Sequence, residues 1–236
     1  MAATRRDDGT APPRMTIFDP FPVLTVTIED ADGRDEVHLH AGGQGLWIGR
    51  MAVALGARVR LVCATGGESG VVLTHLIRGE GIQTTGVTTA GDSAVYVHDR
   101  RSGGREELAE VEPPALSRHE LDGLYEQALV EALDADVFVL AGPRVELAIP
   151  PDIYRRLAAD VATVQPNLVA DLSGAALTEA LAPGVVRVLK VSDEELARAG
   201  LAEGTERPSS RRPWPASTGG ARSTSSSPGV PARPSR

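Results

Sequence analysis

The stretch AGGQGLWIGRMAVALG, positions 41–56, holds the residues best suited to chemistry. Gly42, Gly43 and Gly45 lead straight into a pattern with Leu46, Ile48, Met51, Val53 and Leu55 at helical spacing, closed by Gly56. Glycines ahead of a helix let backbone N–H groups approach an anion. They also let a helix pack tightly on a strand, and the loop alone does not choose between the two. Its spacing matches neither the Walker-type phosphate loop nor the Gly-x-Gly-x-x-Gly dinucleotide fingerprint.

Other side chains are also candidates. His38 and His40 lie two apart on one strand face, a spacing suited to a metal, but no carboxylate or cysteine pattern completes a site, so a solvated or interface face is expected. Arg100, Arg101 and Arg105 cluster at a turn, where they form either a charged tip or a clamp for a phosphate. Asp171 follows an apolar run and Asp136 precedes one. Carboxylates at strand ends often line the ligand crevice of an α/β sheet, although Asp171 suits a helix cap equally well. Cys63 is the single cysteine and sits in the apolar run VRLVCA, which predicts a buried thiol.

The elements that must position these groups follow from the hydrophobic pattern. PVLTVTIE (22–29) and DEVHLHA (35–41) read as strands around the turn DADGR, and SAVYVHD (93–99) and REELAEV (105–111) as a hairpin around RRSGG. These alternate apolar with polar residues and predict a small, half-exposed sheet. RVRLVCA (58–64), DVFVLAG (136–142), NLVADLSG (167–174) and VVRVLKVS (185–192) are continuous apolar runs. They alternate with helical patterns over 45–56, 70–81, 117–133, 151–163, 175–181 and 193–202. Buried strands alternating with helices predict a mostly parallel sheet covered on both faces.

Composition limits the function classes. The 236 residues carry a net charge of −8, and no run reaches the length of a membrane span. The last 32 residues hold six arginines against one glutamate, so the preceding part is more acidic still, at −13. An acidic body argues against nucleic-acid binding. The two arginines near the start have no apolar run behind them, so no secretory signal is read and a cytoplasmic location is expected. Positions 1–14 read as a disordered extension. Positions 205–236, rich in Pro, Ser and Arg, fit a disordered tail or an out-of-frame reading of GC-rich DNA.

In order and spacing, AGGQGLWIGRMAVALGARVRLVCATGGESG, VYVHDRRSGGRE, DVFVLAGP, VADLSG and LKVSDEELAR resemble the ribokinase-like (PfkB) carbohydrate kinases. The likeness is greatest to the 1-phosphofructokinase and tagatose-6-phosphate kinase branch, and it covers about residues 15–204. It implies a three-layer α/β/α sheet, mostly parallel, with a small β lid formed by strands at about 22–41 and 93–111 and incomplete at its C-terminal end. It implies ATP and Mg²⁺ as cofactors, a sugar or sugar phosphate as substrate, and a homodimer formed through the lid.

Residue by residue, the resemblance puts the family's Gly-Gly-Lys-Gly-x-Asn, which holds the sugar, on Gly42, Gly43, Gln44, Gly45, Leu46 and Trp47. The sugar-binding Asp of its N-terminal motif falls on Thr25. Arg100 and Arg101 are expected at the substrate phosphate, and Lys190, Ser192 and Glu195 at metal and phosphate. Gln44, Trp47, Thr25 and Ser192 depart from the family's residue types, which puts the identity of the sugar in question. The family's catalytic Gly-Ala-Gly-Asp, whose Asp is the general base, has no counterpart in this chain. Asp92 in AGDS precedes a strand pattern instead of a helix and is rejected as the base. The expectation is a carbohydrate kinase inactive as this chain, and the alternative is a non-catalytic sugar-binding or regulatory relative.

Overall fold

The computed structural model describes residues 11–142 and 148–200. In chain order the elements are β1 (Arg14–Phe18), β2 (Val23–Ala31), β3 (Arg34–Gly42), α1 (Gln44–Ala54), β4 (Arg58–Gly66), α2 (Gly67–Gly79), β5 (Ile82–Thr89), β6 (Val95–Asp99) and β7 (Glu106–Val111). There follow α3 (Arg118–Leu133), β8 (Val137–Ala141), α4 (Asp152–Ala162), β9 (Leu168–Asp171), α5 (Gly174–Leu181), β10 (Val188–Lys190) and α6 (Asp193–Arg198).

Six strands form a parallel sheet in the order β10-β9-β8-β1-β4-β5. Successive side chains of a strand point to opposite faces, and here both faces are covered. Ile17, Leu61, Cys63 and Val139 join Leu46, Leu73 and Ile77 of α1 and α2 in one core. Phe18, Val62, Phe138 and Leu140 join α3, α4 and α5 in the other, through Leu124, Ala128, Leu157 and Leu177. This is why the strands read as unbroken apolar runs.

Two sheet strands go unmarked by those runs. β1, only five residues long, lies between prolines, and β5 is a threonine-rich edge strand (IQTTGVTT) that half faces solvent. Conversely, the apolar run at 185–192 pairs over only three residues, Val188–Lys190, on the outer side of β9. Pro13, ahead of β1, already accepts a hydrogen bond from the Arg58 N–H at 2.8 Å.

The second sheet, ordered β3-β2-β6-β7, is the expected lid. The turn between β2 and β3 has two positive φ angles, 56° at Asp32 and 79° at Gly33, the Asp-Gly geometry that suits a two-residue hairpin. β2 and β6 run parallel, while β6 and β7 are antiparallel with a shift at Val97/His98. The registers put Thr25, Thr27, His38, His40, Tyr96 and His98 on one lid face and Val26, Ile28, Val37, Leu39 and Val97 on the other. No helix among the described residues is long and apolar enough to cross a membrane. Of the segments where disorder is expected, positions 205–236 and 1–10 lie outside the described residues, whereas Arg14, at the end of the 1–14 extension, already begins β1.

Candidate functional site

β1 sits mid-sheet. The chain builds outward from it through β4 and β5, then returns to its other side through β8, β9 and β10. A reversal of this kind leaves a crevice beyond the carboxyl ends of the strands. Here that crevice is a cleft of about 780 Å³, bounded by the strand ends, the glycine loop and the polar face of the lid.

At its base lies Asp19, the residue directly after β1, with 1% of its surface exposed. The Gly45 N–H donates to its Oδ2 at 2.9 Å. The anion received by the glycine loop is therefore, at this point, the chain's own carboxylate. The sequence requirement follows from distance, since a Cβ on Gly45 would stand 2.6 Å from the Asp19 Cβ. One on Gly43, whose φ is 121°, would stand 3.1 Å from Asp19 Oδ2. Burial raises the Asp19 pKa to about 7, against the lowering effect of its bonds to the Gly45 and Phe21 backbone. Near neutral pH this carboxyl can therefore either donate or accept a hydrogen bond. It also helps raise the buried Cys63 thiol to about 12, burial being the larger cause.

Gln44 extends from the same loop across the cleft floor, and its amide donates to Asp171 Oδ1. Asp171, buried at the end of β9, is also met by Lys190 at 3.0 Å. A Gln44–Asp171–Lys190 chain thus links the loop to the far strands. Asp171 does not cap α5, whose N-cap is Ser173; Ser173 itself lines the cleft, and Asp171 reaches it only through Gln44. Asp136 lies at the opposite end of the sheet, where it accepts from the Arg14 N–H at 2.7 Å.

The walls are aromatic and cationic. Trp47, in the first turn of α1, lines the cleft and is 66% exposed, with the Arg50 guanidinium 4.9 Å from its ring centroid. Arg50 is itself fixed by Glu80, at 2.6 and 2.8 Å, and by the Ala41 carbonyl. On the lid side stand Thr25, His40, Tyr96 and Arg105, the last with its guanidinium 4.8 Å from the Tyr96 centroid. Arg105 makes no ion pair among the described residues.

The cleft thus gathers Gly42, Gly43, Gln44, Trp47 and Thr25, with Gly45 just beneath. Arg100 and Arg101 do not line it. Arg100 pairs with Glu29, and Arg101 with Asp99 and Asp35, at the lid tip. Ser192 and Glu195 are partners in the capping box of α6. Bonds from Ser192 hold the Glu195 carboxyl below its ordinary range. His38 and His40 stack 6.1 Å apart, and no cluster of three metal-ligating side chains occurs among the described residues. Asp92 sits in the connection that leads to β6, beside Gly67. Asp19 itself is absent from the sequence-derived candidates. The available signal is its position directly after MTIF, the strand-end rule that picks out Asp171.

Fold and cleft together define an α/β protein with a polar cleft beneath a β lid. The chain belongs to the pfkB family of carbohydrate kinases, whose sequence profile matches residues 25–208. Among solved structures it is similar to Escherichia coli phosphofructokinase-2 in complex with potassium, at 22% identity and a TM-score of 0.66, over 84% of this chain and 65% of that one. The structure of the same enzyme with fructose-6-phosphate gives 20% identity and a TM-score of 0.65, over 84% and 67%. A Thermotoga maritima protein provisionally assigned as a 1-phosphofructokinase gives 14% and 0.60, over 71% and 56%. At these identities the likeness is one of fold, and the chain spans about two thirds of the length of the Escherichia coli enzyme. No curated protein matches it in sequence.

Proposed function

We propose that the cleft holds a sugar or sugar phosphate, the acceptor in an ATP- and Mg²⁺-dependent carbohydrate kinase reaction. The observation that carries this reading is the buried Asp19, braced by the glycine loop and open to the cleft. A carboxyl balanced between its two protonation states can hydrogen-bond sugar hydroxyls in either direction. Thr25, Gln44 and Ser173 add further hydroxyl partners around it. Arg105, which pairs with no carboxylate among the described residues, supplies the positive charge that a phosphate needs.

ATP with Mg²⁺ would supply the phosphoryl group. Lys190 is the described residue best suited to meet a phosphate. Ser192 and Glu195 spend their polar atoms on each other, and the described residues do not complete a nucleotide or metal site. The sequence contains no Gly-Ala-Gly-Asp, and we propose that binding, without transfer, is what these 236 residues do by themselves. The alternative, a non-catalytic sugar binder or regulator, draws support from Trp47 where the family pattern has asparagine.

We also propose a homodimer through the lid, supported by Val37 and Leu39, which are about half exposed or more on its apolar face. A panel of hexoses and hexose phosphates, assayed by calorimetry and by ADP release with ATP and Mg²⁺, tests the reading. It expects saturable binding of a phosphorylated sugar. A folded chain that binds none of the panel contradicts it.

A further inference from the structure

Trp47 is the only Trp, Tyr or Phe among the described residues that is exposed. An unburied indole forgoes hydrophobic stabilisation, yet this one is held in place. Arg50 lies 4.9 Å from its ring centroid, and two contacts to Glu80 and one to the Ala41 carbonyl fix that arginine. A charged strut of this kind limits the ring's rotamers before any ligand arrives, which lowers the ordering cost of binding. The cleft therefore offers two unlike surfaces: an apolar plate on α1, and a polar floor of Asp19, Gln44 and Ser173 that Thr25 faces from the lid.

We propose that Trp47 is a stacking platform that selects a six-membered-ring sugar phosphate. A pyranose with equatorial hydroxyls has the matching division, axial C–H bonds on its faces and hydroxyls around its edge. Its apolar face rests on the indole, its hydroxyl edge meets the floor, and its phosphate points to Arg105. A furanose carries substituents on both faces and lacks such a plate. A nucleobase would stack but would leave the floor's hydroxyl partners unused. The inference rests on the sugar-phosphate reading above and deepens it.

The chain has two tryptophans, so a Trp214→Phe background leaves Trp47 as the sole tryptophan. In that background, D-glucose 6-phosphate, D-fructose 6-phosphate and adenosine are titrated by calorimetry and by tryptophan emission. The proposal expects glucose 6-phosphate to bind more tightly than fructose 6-phosphate and to shift the emission. Trp47→Ala should weaken glucose 6-phosphate about tenfold, while Trp47→Phe, which keeps a ring, stays within about threefold. Sugar phosphate binding that ignores Trp47→Ala and leaves the emission unchanged overturns the stacking role and leaves the sugar reading standing. A preference for fructose 6-phosphate overturns the ring selection alone, and an emission response to adenosine but to neither sugar overturns the ligand class. If the folded parent binds neither phosphate, the sugar reading falls, and this inference with it.

Discussion

The Asp19 carboxylate and the Gly45 N–H meet at 2.9 Å, joining the end of the central strand to the start of the first helix across 26 residues. This contact sets the height of the glycine loop over the sheet and holds a buried carboxyl at the base of the cleft.

Asp19 should leave a signature in the pH dependence of stability. Its pKa is raised from 3.8 to about 7 on folding, so the folded state holds the proton more tightly than the unfolded chain. Below about pH 3 both states are protonated and the residue contributes nothing. Its cost grows as pH rises from about 3 to 7 and then levels at about 4 kcal/mol. Asp19→Asn, which keeps an acceptor for Gly45, should be more stable than the parent at pH 8 and equal to it near pH 3. Urea denaturation at the two pH values measures this, and an equal difference at both would contradict it. The same substitution should weaken sugar phosphate binding about tenfold or more.

Gly45→Ala tests the packing directly. The added Cβ would stand 2.6 Å from the Asp19 Cβ and 2.7 Å from its Oδ2, so either the loop or the carboxylate must move. A loss of about 1–3 kcal/mol in stability is expected, with ligand binding lost as well. Gly56→Ala makes a useful control. No atom stands near its added Cβ, but its φ of 91° carries backbone strain, so it should cost stability and spare binding.

The arginines near the β6–β7 turn should divide by position. Arg105→Ala should weaken a phosphorylated sugar about tenfold and leave the unphosphorylated sugar within about twofold. Arg100→Ala and Arg101→Ala should change neither, because their guanidinium groups are paired with Glu29, Asp99 and Asp35 away from the cleft. Calorimetry on the three variants separates these outcomes.

Ser192→Ala should act on stability more than on binding. Ser192 accepts from the Glu195 N–H at 3.2 Å and donates to the Glu195 carboxylate at 2.8 Å. Breaking that box should cost about 1 kcal/mol locally. Faster amide exchange confined to α6, with sugar phosphate affinity unchanged, is the expected result.

The parallel layers were legible because Phe138, Val139 and Leu140 point alternately into two apolar cores and so read as a continuous run. The lid was legible for the opposite reason: Thr25 faces the cleft while Leu24 and Val26 pack toward α2, which produces alternation. β5 was not legible, because an edge strand against partly open helices tolerates threonines, which carry no apolar signal. Within the site, the glycine loop was legible but its partner was not. The resemblance points to Thr25, six residues beyond Asp19, and only the fold returns Asp19 beneath Gly45. The Arg50–Glu80 strut behind Trp47 joins positions 30 apart, and no local pattern announces it.

The most direct measurement is calorimetric titration of the folded chain with hexose phosphates, run in parallel on Asp19→Asn and Arg105→Ala. The account predicts saturable binding by the parent with one site per chain, and marked weakening in both variants. Binding that both variants retain in full, or none by a cooperatively folded parent, would contradict it.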